Sequence, residues 1–275
     1  MILLNNKKFL IIVFAVFVFL VALIVINAKK GGSSLNARID NGPTLSGLIA
    51  QAKELEDQNS LLQAKNIYQK LVQEFSNSDE IMHWQKKLEE INLKLLFSPI
   101  ITPKSTSYEI KHGDSLSKIA SKFNTTVELI QKSNNIKDDK IIPGTKIKVW
   151  TAPFNLIVDK SQNTLMLKTD EEVIKTYIVS TGKDNSTPTG TFIITNKLLN
   201  PTWFKSGEVI ASGSPDNILG TRWMGFDLAR YGIHGTTEPE KLGQQVTAGC
   251  VRMSNSEIEE LYSILPKGTE VLVVD

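Results

Sequence analysis

One cysteine and three histidines stand among the 275 residues, and their placing narrows the chemistry they can do. Nucleophilic acyl transfer needs an activated side chain, a base to take its proton, and donors for the oxyanion. His83 falls in a helical pattern and His112 just ahead of a turn, so His234 is the histidine that shares a segment with Cys250. It stands in Tyr231-Gly232-Ile233-His234-Gly235-Thr236, where glycines permit close backbone approach. Downstream comes Thr247-Ala248-Gly249-Cys250-Val251-Arg252-Met253. Taken singly, a cysteine is more often a small buried hydrophobe and a histidine a satisfied structural one. Together in one glycine-punctuated block they read as nucleophile and base. Gly249 before the sulfur and Arg252 after it predict open backbone donors and a nearby cation, surroundings that lower a thiol pKa from about 8.5 toward neutrality.

Rival chemistries lack their residues. There is no Gly-x-Ser-x-Gly, no phosphate-binding glycine loop and no His-Glu-x-x-His, and scattered histidines with one cysteine make no zinc site, so neither metal nor cofactor is expected. Ser115-Leu116-Ser117-Lys118 matches a Ser-x-x-Lys pattern, but it opens a helix and no Lys-Thr-Gly accompanies it. Thirty-one Lys and Arg against 29 Asp and Glu leave a charge of +2 without a basic run, which disfavours nucleic acid as a partner. A single cysteine also excludes an internal disulfide.

The elements that must position His234 and Cys250 read as mostly β. Leu156–Val158, Leu165–Leu167, Val173–Val179, Phe192–Ile194 and Val271–Val274 are short apolar runs parted by turns, which predicts a sheet sandwich or barrel. Ser254 and Glu257 form a capping box opening a helix through Tyr262. Between them, residues 198–228 hold Trp203, Trp223, Met224 and Phe226 as lid, substrate wall or core.

Upstream, Tyr108-Glu109-Ile110 reads as a strand, Asp114 as the cap of a helix bearing Leu116, Ile119, Ala120 and Phe123, and Thr125 with Glu128 as the capping box of a second helix. Pro143-Gly144 then turns into the strand Lys146–Val149. Apolar residues between Leu45 and Leu96 recur at helical spacing, giving three short helices with a faint tetratricopeptide look, expected to serve as a spacer or docking element. Residues 98–107 read as a linker and 31–43 as a tether. Phe9–Ile26 is an uncharged apolar run long enough for most of a bilayer, and bulky Ile26 spoils the one cut-like site, so an uncleaved signal anchor is expected. The chain thus reads as multidomain α+β: anchor at 1–30, tether and spacer at 31–97, a strand-helix-helix-strand module at 107–150, and a mostly β catalytic domain at 153–275.

The module at 107–150, through Gly113-Asp114-Ser115-Leu116, Ile119-Ala120, Phe123, Asn134-Asn135-Ile136 and Pro143-Gly144, resembles a LysM domain. The resemblance implies binding of N-acetylglucosamine-containing glycan strands, chiefly peptidoglycan, along Gly113, Asp114, Ser115, Ile142, Pro143 and Gly144.

Ile233-His234-Gly235-Thr236 with Gly249-Cys250-Val251-Arg252-Met253, preceded by Val179-Ser180-Thr181-Gly182, Thr187-Pro188-Thr189-Gly190, Asn200-Pro201-Thr202-Trp203 and Leu219-Gly220-Thr221-Arg222-Trp223, resembles the YkuD-like L,D-transpeptidase catalytic domain. The resemblance implies attack by Cys250 on the third residue of a peptidoglycan tetrapeptide stem, release of D-Ala, and transfer of the acyl group to an amine or to water. His234 would take the thiol proton while a backbone carbonyl holds its other nitrogen, and amides at Cys250 and its neighbours would form the oxyanion hole. Gly235 and Arg252 would join the catalytic group, Arg252 binding a substrate carboxylate or ordering the loop, and Thr236, Thr247, Gly249, Val251, Trp203 and Trp223 would line the substrate. Where the family commonly has Ser and His, this chain has Thr247 and Ala248, which keeps a hydroxyl and leaves His234 as sole base. Such an enzyme works at the membrane with residues beyond Lys30 outside the cytoplasm. Two other readings are a wall cysteine peptidase or amidase, in which cysteine precedes histidine rather than following it, and a wall-binding protein without catalysis.

Overall fold

Helical spacing becomes three amphipathic helices, α1 (Leu45–Asp57), α2 (Leu61–Glu74) and α3 (Ile81–Leu96), in the computed structural model, which describes residues 44–205 and 207–275. The expected anchor and tether lie outside the described residues. Among those described, no helix is long and apolar enough to cross a membrane. Leu48, Ala64, Leu71, Trp84 and Ile91 give the helices a core of their own.

The next module pairs β1 (Ser105–Glu109) antiparallel to β2 (Lys146–Trp150), with α4 (Leu116–Lys122) and α5 (Val127–Asn134) between them. β1 starts inside the stretch read as linker because Ser105 pairs with Trp150. Both expected caps move by one residue. Ser115, not Asp114, caps α4, accepting from Lys118 N at 3.2 Å, while Asp114 Oδ2 takes Lys111 N at 2.8 Å and Tyr108 OH at 2.9 Å. Thr126, not Thr125, caps α5: its backbone is extended, and its Oγ1 accepts from Leu129 N at 2.9 Å.

Downstream lie β3 (Asn155–Asp159), β4 (Thr164–Thr169), β5 (Glu172–Ile178), β6 (Thr181–Gly182), β7 (Gly190–Leu199), β8 (Trp203–Lys205), β9 (Glu208–Ile210), β10 (Arg222–Phe226), β11 (Gly232–His234), β12 (Gln245–Thr247), β13 (Val251–Arg252), α6 (Asn255–Ile264) and β14 (Glu270–Val274). Eight of these strands form one mixed sheet in the order β13-β11-β10-β7-β14-β3-β4-β5, rather than two separate face-packed sheets. Strand β7 explains the difference. Its first part, Gly190–Ile193, pairs with β14, and its remainder, Ile194–Leu199, pairs with β10, so one long strand carries the chain between two halves of the sheet. Phe192–Ile194 was legible as a strand; the continuation is not, because Asn196 and Lys197 break the apolar run.

Along β3 and β4 alternate residues are buried, and Leu156, Val158, Leu165 and Leu167 join Ile258, Leu261 and Ile264 of α6 in one core. Each such side chain contributes about 1.5–3 kcal/mol on burial. Ser254 caps α6 through the expected box, accepting from Glu257 N at 3.3 Å and donating to Glu257 Oε2 at 2.6 Å.

The spacer helices cover the sheet's outer strand, β5. Asn92 Nδ2 of α3 donates to Val173 O at 3.2 Å and Ile174 O at 3.4 Å, and Thr176 N donates to Glu89 Oε1 at 3.0 Å. Side chains thus satisfy an edge that would otherwise be open to pairing. The β1–β2 module is fixed on both sides. Lys148 Nζ reaches Leu95 O at 2.5 Å and Ser98 O at 2.9 Å at the end of α3, Thr126 donates to Ser263 O on α6, and Lys132 Nζ donates to Ser263 Oγ at 2.9 Å.

Candidate active site

Strand pairing brings the chemical residues together. β11 and β13 run parallel with Ile233 opposite Val251 and His234 opposite Arg252, so the histidine strand lies beside the strand that follows the cysteine. Cys250 sits just before β13 on a turn tied by Thr247, whose Oγ1 donates to Cys250 O at 2.6 Å and accepts from Gly249 N at 3.1 Å. Gly249 has φ +124°, and a Cβ there would lie 2.7 Å from Tyr231 Cε1, so only glycine lets the chain pass beneath that ring. Because Thr247 engages the Gly249 amide, that neighbour is not a free oxyanion donor; the Cys250 amide is the candidate left from the turn.

His234 Nδ1 lies 2.6 Å from Gly235 O. A carbonyl can only accept, so Nδ1 carries the proton and Nε2 keeps its lone pair for a thiol proton. The ring is 2% exposed and stacks on Trp223 with centroids 5.9 Å apart. Burial, with Arg252 adding to it, pushes the imidazole pKa down to about 4. Asn255 braces the histidine strand's exit: its Oδ1 accepts from Thr221 N at 3.2 Å and Thr236 N at 3.1 Å, and its Nδ2 donates to Thr236 O at 2.8 Å. A Cβ at Gly235 would fall 2.2 Å from that Oδ1.

The sulfur is not a resting thiolate, contrary to the expectation from its sequence neighbours. Burial raises the Cys250 pKa to about 11, outweighing the Gly232 backbone hydrogen bond and the Arg252 charge. Arg252 is 4% exposed and donates through Nη1 to Glu238 Oε2 at 2.9 Å, so its charge is largely answered before it reaches the sulfur. The thiol itself donates to Arg230 O at 3.3 Å. Arg230 holds that carbonyl from a left-handed backbone at φ +73°.

Cys250, His234, Arg252, Thr247, Trp203 and Trp223 all line one cavity of about 970 Å³. Its outer wall is the β8–β9 hairpin, where Phe204 pairs with Val209 and is 76% exposed. The aromatic segment read as lid or core therefore divides: Trp203 and Trp223 face the cavity, whereas Met224 and Phe226 are buried in the core. Gly249, Val251, Gly235 and Thr236, also expected at the site, are not among the residues lining this cavity; Val251 is fully buried and Thr236 is 3% exposed. Glu238, Arg230, Tyr231 and Asn255 belong to the site and escaped sequence reading, since each acts through a contact with a residue distant in sequence. Among the described residues no group of three or more His, Cys, Asp and Glu gathers as metal ligands.

In the β1–β2 module the two glycan-candidate loops meet. Gly144 N donates to Ile110 O at 2.8 Å, both Gly113 and Gly144 have positive φ, and Ile142 is 72% exposed beside them. Ser115 and Asp114 are held in the local hydrogen bonds described above.

Residues 153–273 match the model of the L,D-transpeptidase catalytic domain, YkuD, and residues 108–150 match the LysM domain. The Bacillus subtilis protein named as the L,D-transpeptidase YkuD is 33% identical over 174 residues, covering 61% of this chain and 98% of the relative. YqjB of the same organism, named likewise, is 45% identical over 126 residues, covering 44% of this chain and 70% of the relative. Among solved structures, the catalytic domain of the Enterococcus faecium L,D-transpeptidase is 26% identical with a TM-score of 0.38, covering 45% of this chain and 98% of that chain. On its catalytic-domain match and its near full-length coverage of a relative, the chain belongs to the YkuD family of L,D-transpeptidases and carries a LysM domain ahead of the catalytic one.

Proposed function

We propose that the chain is a cysteine L,D-transpeptidase of peptidoglycan. The observation that carries this reading is one cavity shared by the only cysteine and by a histidine whose tautomer leaves Nε2 as a base. Cys250 Sγ attacks the carbonyl of the third residue of a tetrapeptide stem as His234 Nε2 takes its proton. The tetrahedral oxyanion is met by the Cys250 amide, and donors of this kind contribute about 2.7–4 kcal/mol each in acyl transfer. The C–N bond to the terminal D-Ala breaks as His234 returns the proton to the departing amine. The Cys250 thioester then passes its acyl group to an amine of another stem, or to water. Burial holds the imidazole neutral with a pKa near 4 and the thiol near 11, so proton transfer between them is uphill on its own and has to be coupled to attack on the carbonyl. Arg252 lines the cavity, oriented by its ion pair with Glu238, and orders the wall against which the substrate lies.

The LysM domain binds N-acetylglucosamine-containing glycan beside the catalytic domain, raising the local concentration of stems. Phe9–Ile26 anchors the chain in the cytoplasmic membrane with residues beyond Lys30 on the wall side. Purified muropeptides with tetrapeptide stems test the activity: wild type is expected to yield crosslinked or trimmed stems with free D-Ala, and Cys250→Ala neither. Product from Cys250→Ala would refute the assignment.

A further inference from the structure

The carbonyl that sets the His234 tautomer belongs to a peptide just past the end of strand pairing. Up to that point the backbone is held by its neighbours: His234 O accepts from Met253 N at 3.0 Å, and Gly235 N donates to Arg222 O at 3.2 Å. β11 ends at His234. The next peptide, joining Gly235 to Thr236, turns its carbonyl to His234 Nδ1 at 2.6 Å and its amide to Asn255 Oδ1 at 3.1 Å. A peptide unit is planar, with C=O and N–H pointing opposite ways, so fixing one fixes the other.

The Asn255 carboxamide is itself fixed. Its Oδ1 also accepts from Thr221 N at 3.2 Å, while its Nδ2 donates to Thr236 O at 2.8 Å, so two amides and a carbonyl decide which end is oxygen. The backbone leaves a slot for that oxygen, since a Cβ at Gly220, where φ is +64°, would lie 2.2 Å from it. Asn255 is the first residue of α6, whose Ile258 and Leu261 are buried in the catalytic core, so the carboxamide is carried on a packed helix.

We propose that Asn255 is the positioning residue of His234, acting through the Gly235–Thr236 peptide: Asn255 Oδ1 holds the amide, the carbonyl of the same peptide holds the proton on Nδ1, and Nε2 is left as the base. Each hydrogen bond in this row polarises the next, which strengthens the hold on Nδ1–H. A peptide and a neutral carboxamide thus do what a carboxylate does when it orients a catalytic histidine. Without Asn255 the peptide is free to turn, the proton moves to Nε2, and a ring protonated there has no lone pair for a thiol proton. Asn255 does not line the Cys250 cavity, so its loss acts on the rate rather than on substrate affinity. The inference rests on His234 serving as the base for Cys250.

Magnetic resonance of the full chain, isotopically labelled at the histidine ring nitrogens and with His234 identified through His234→Gln, reads the tautomer directly at neutral pH. In wild type and in Cys250→Ala the proton is expected on Nδ1; in Asn255→Ala the Nε2–H form is expected to appear. On tetrapeptide-stem muropeptides Asn255→Ala is expected to lower kcat at least about tenfold with KM within about twofold, the mark of a misplaced tautomer. Asn255→Asp keeps an oxygen for both amides and is expected to restore the Nδ1–H form and to recover kcat at least about threefold over alanine. A wild-type ring protonated on Nε2 would overturn the inference. So would a folded Asn255→Ala with the wild-type tautomer, an effect confined to KM, or, where the alanine variant does not fold, a folded Asn255→Asp with its proton on Nε2. An inactive wild type that shows the expected tautomers in every variant would fail the reaction proposed for Cys250 and leave this positioning role standing.

Discussion

Burial favours the thiol form of Cys250, and the residues around it explain why. It donates to the Arg230 carbonyl, lies in a partly buried turn, and faces an arginine already paired with Glu238. Alkylation by iodoacetamide, which consumes thiolate, is therefore expected to be slow at neutral pH and to rise toward a midpoint near 11, because a pKa raised by burial moves thiolate formation to higher pH. A midpoint at or below that of free cysteine, about 8.5, would contradict the burial argument. Thr247 acts on the same sulfur through backbone alone, holding Gly249 N and Cys250 O with one hydroxyl. Thr247→Val is expected to lower kcat/KM at least tenfold with little change in stability, and Thr247→Ser to restore it. A valine variant with full activity would remove Thr247 from the site. Cys250, His234 and Thr247 were legible in the sequence because residue type and glycine context mark them. The thiol's charge state was not, since it depends on burial and on Glu238, which no spacing announces.

Among the elements, the strands that carry alternating apolar residues were readable, and those of the site were not. β11 and β13 are three and two residues long, and their parallel pairing is set by the packing of Ile233 and Val251, both fully buried. Helix caps were readable to within one residue, because Thr125 and Thr126 offer the same hydroxyl and backbone geometry chooses between them. Lys148 shows what a strand residue can do for a neighbouring helix. It is 2% exposed, burial brings its pKa down to about 8, and its Nζ donates to carbonyls at the C-terminal end of α3. Lys148→Met keeps the apolar stem and removes the donors, leaving those carbonyls unmet. It is expected to destabilise the chain by about 1–3 kcal/mol in urea unfolding. No change in the midpoint would show that the lysine contributes nothing to that junction.

At the scale of the molecule, the three modules read as separate in the sequence but meet through side chains in the fold. Residues 44–275 cluster as one compact unit, with Asn92 and Glu89 on β5, Thr126 and Lys132 on Ser263, and Lys148 on α3. None of those pairings follows from local pattern, since each joins residues far apart in the chain. The consequence is cooperative unfolding: calorimetry is expected to give one transition for the spacer, LysM and catalytic parts together, and resolved LysM and catalytic transitions would contradict it. The LysM domain is held by those contacts at a set orientation to the catalytic domain.

The central claim, that Cys250 carries the acyl group, is tested most directly by intact mass. The purified chain is mixed with a tetrapeptide-stem muropeptide and quenched in acid before the acceptor resolves the intermediate. The expected species is heavier by the donor less one D-Ala, is mapped to Cys250, and reverts to the unmodified mass with hydroxylamine; it is absent from Cys250→Ala. Crosslinked product formed without such a species, or an adduct mapped to any other residue, would contradict it.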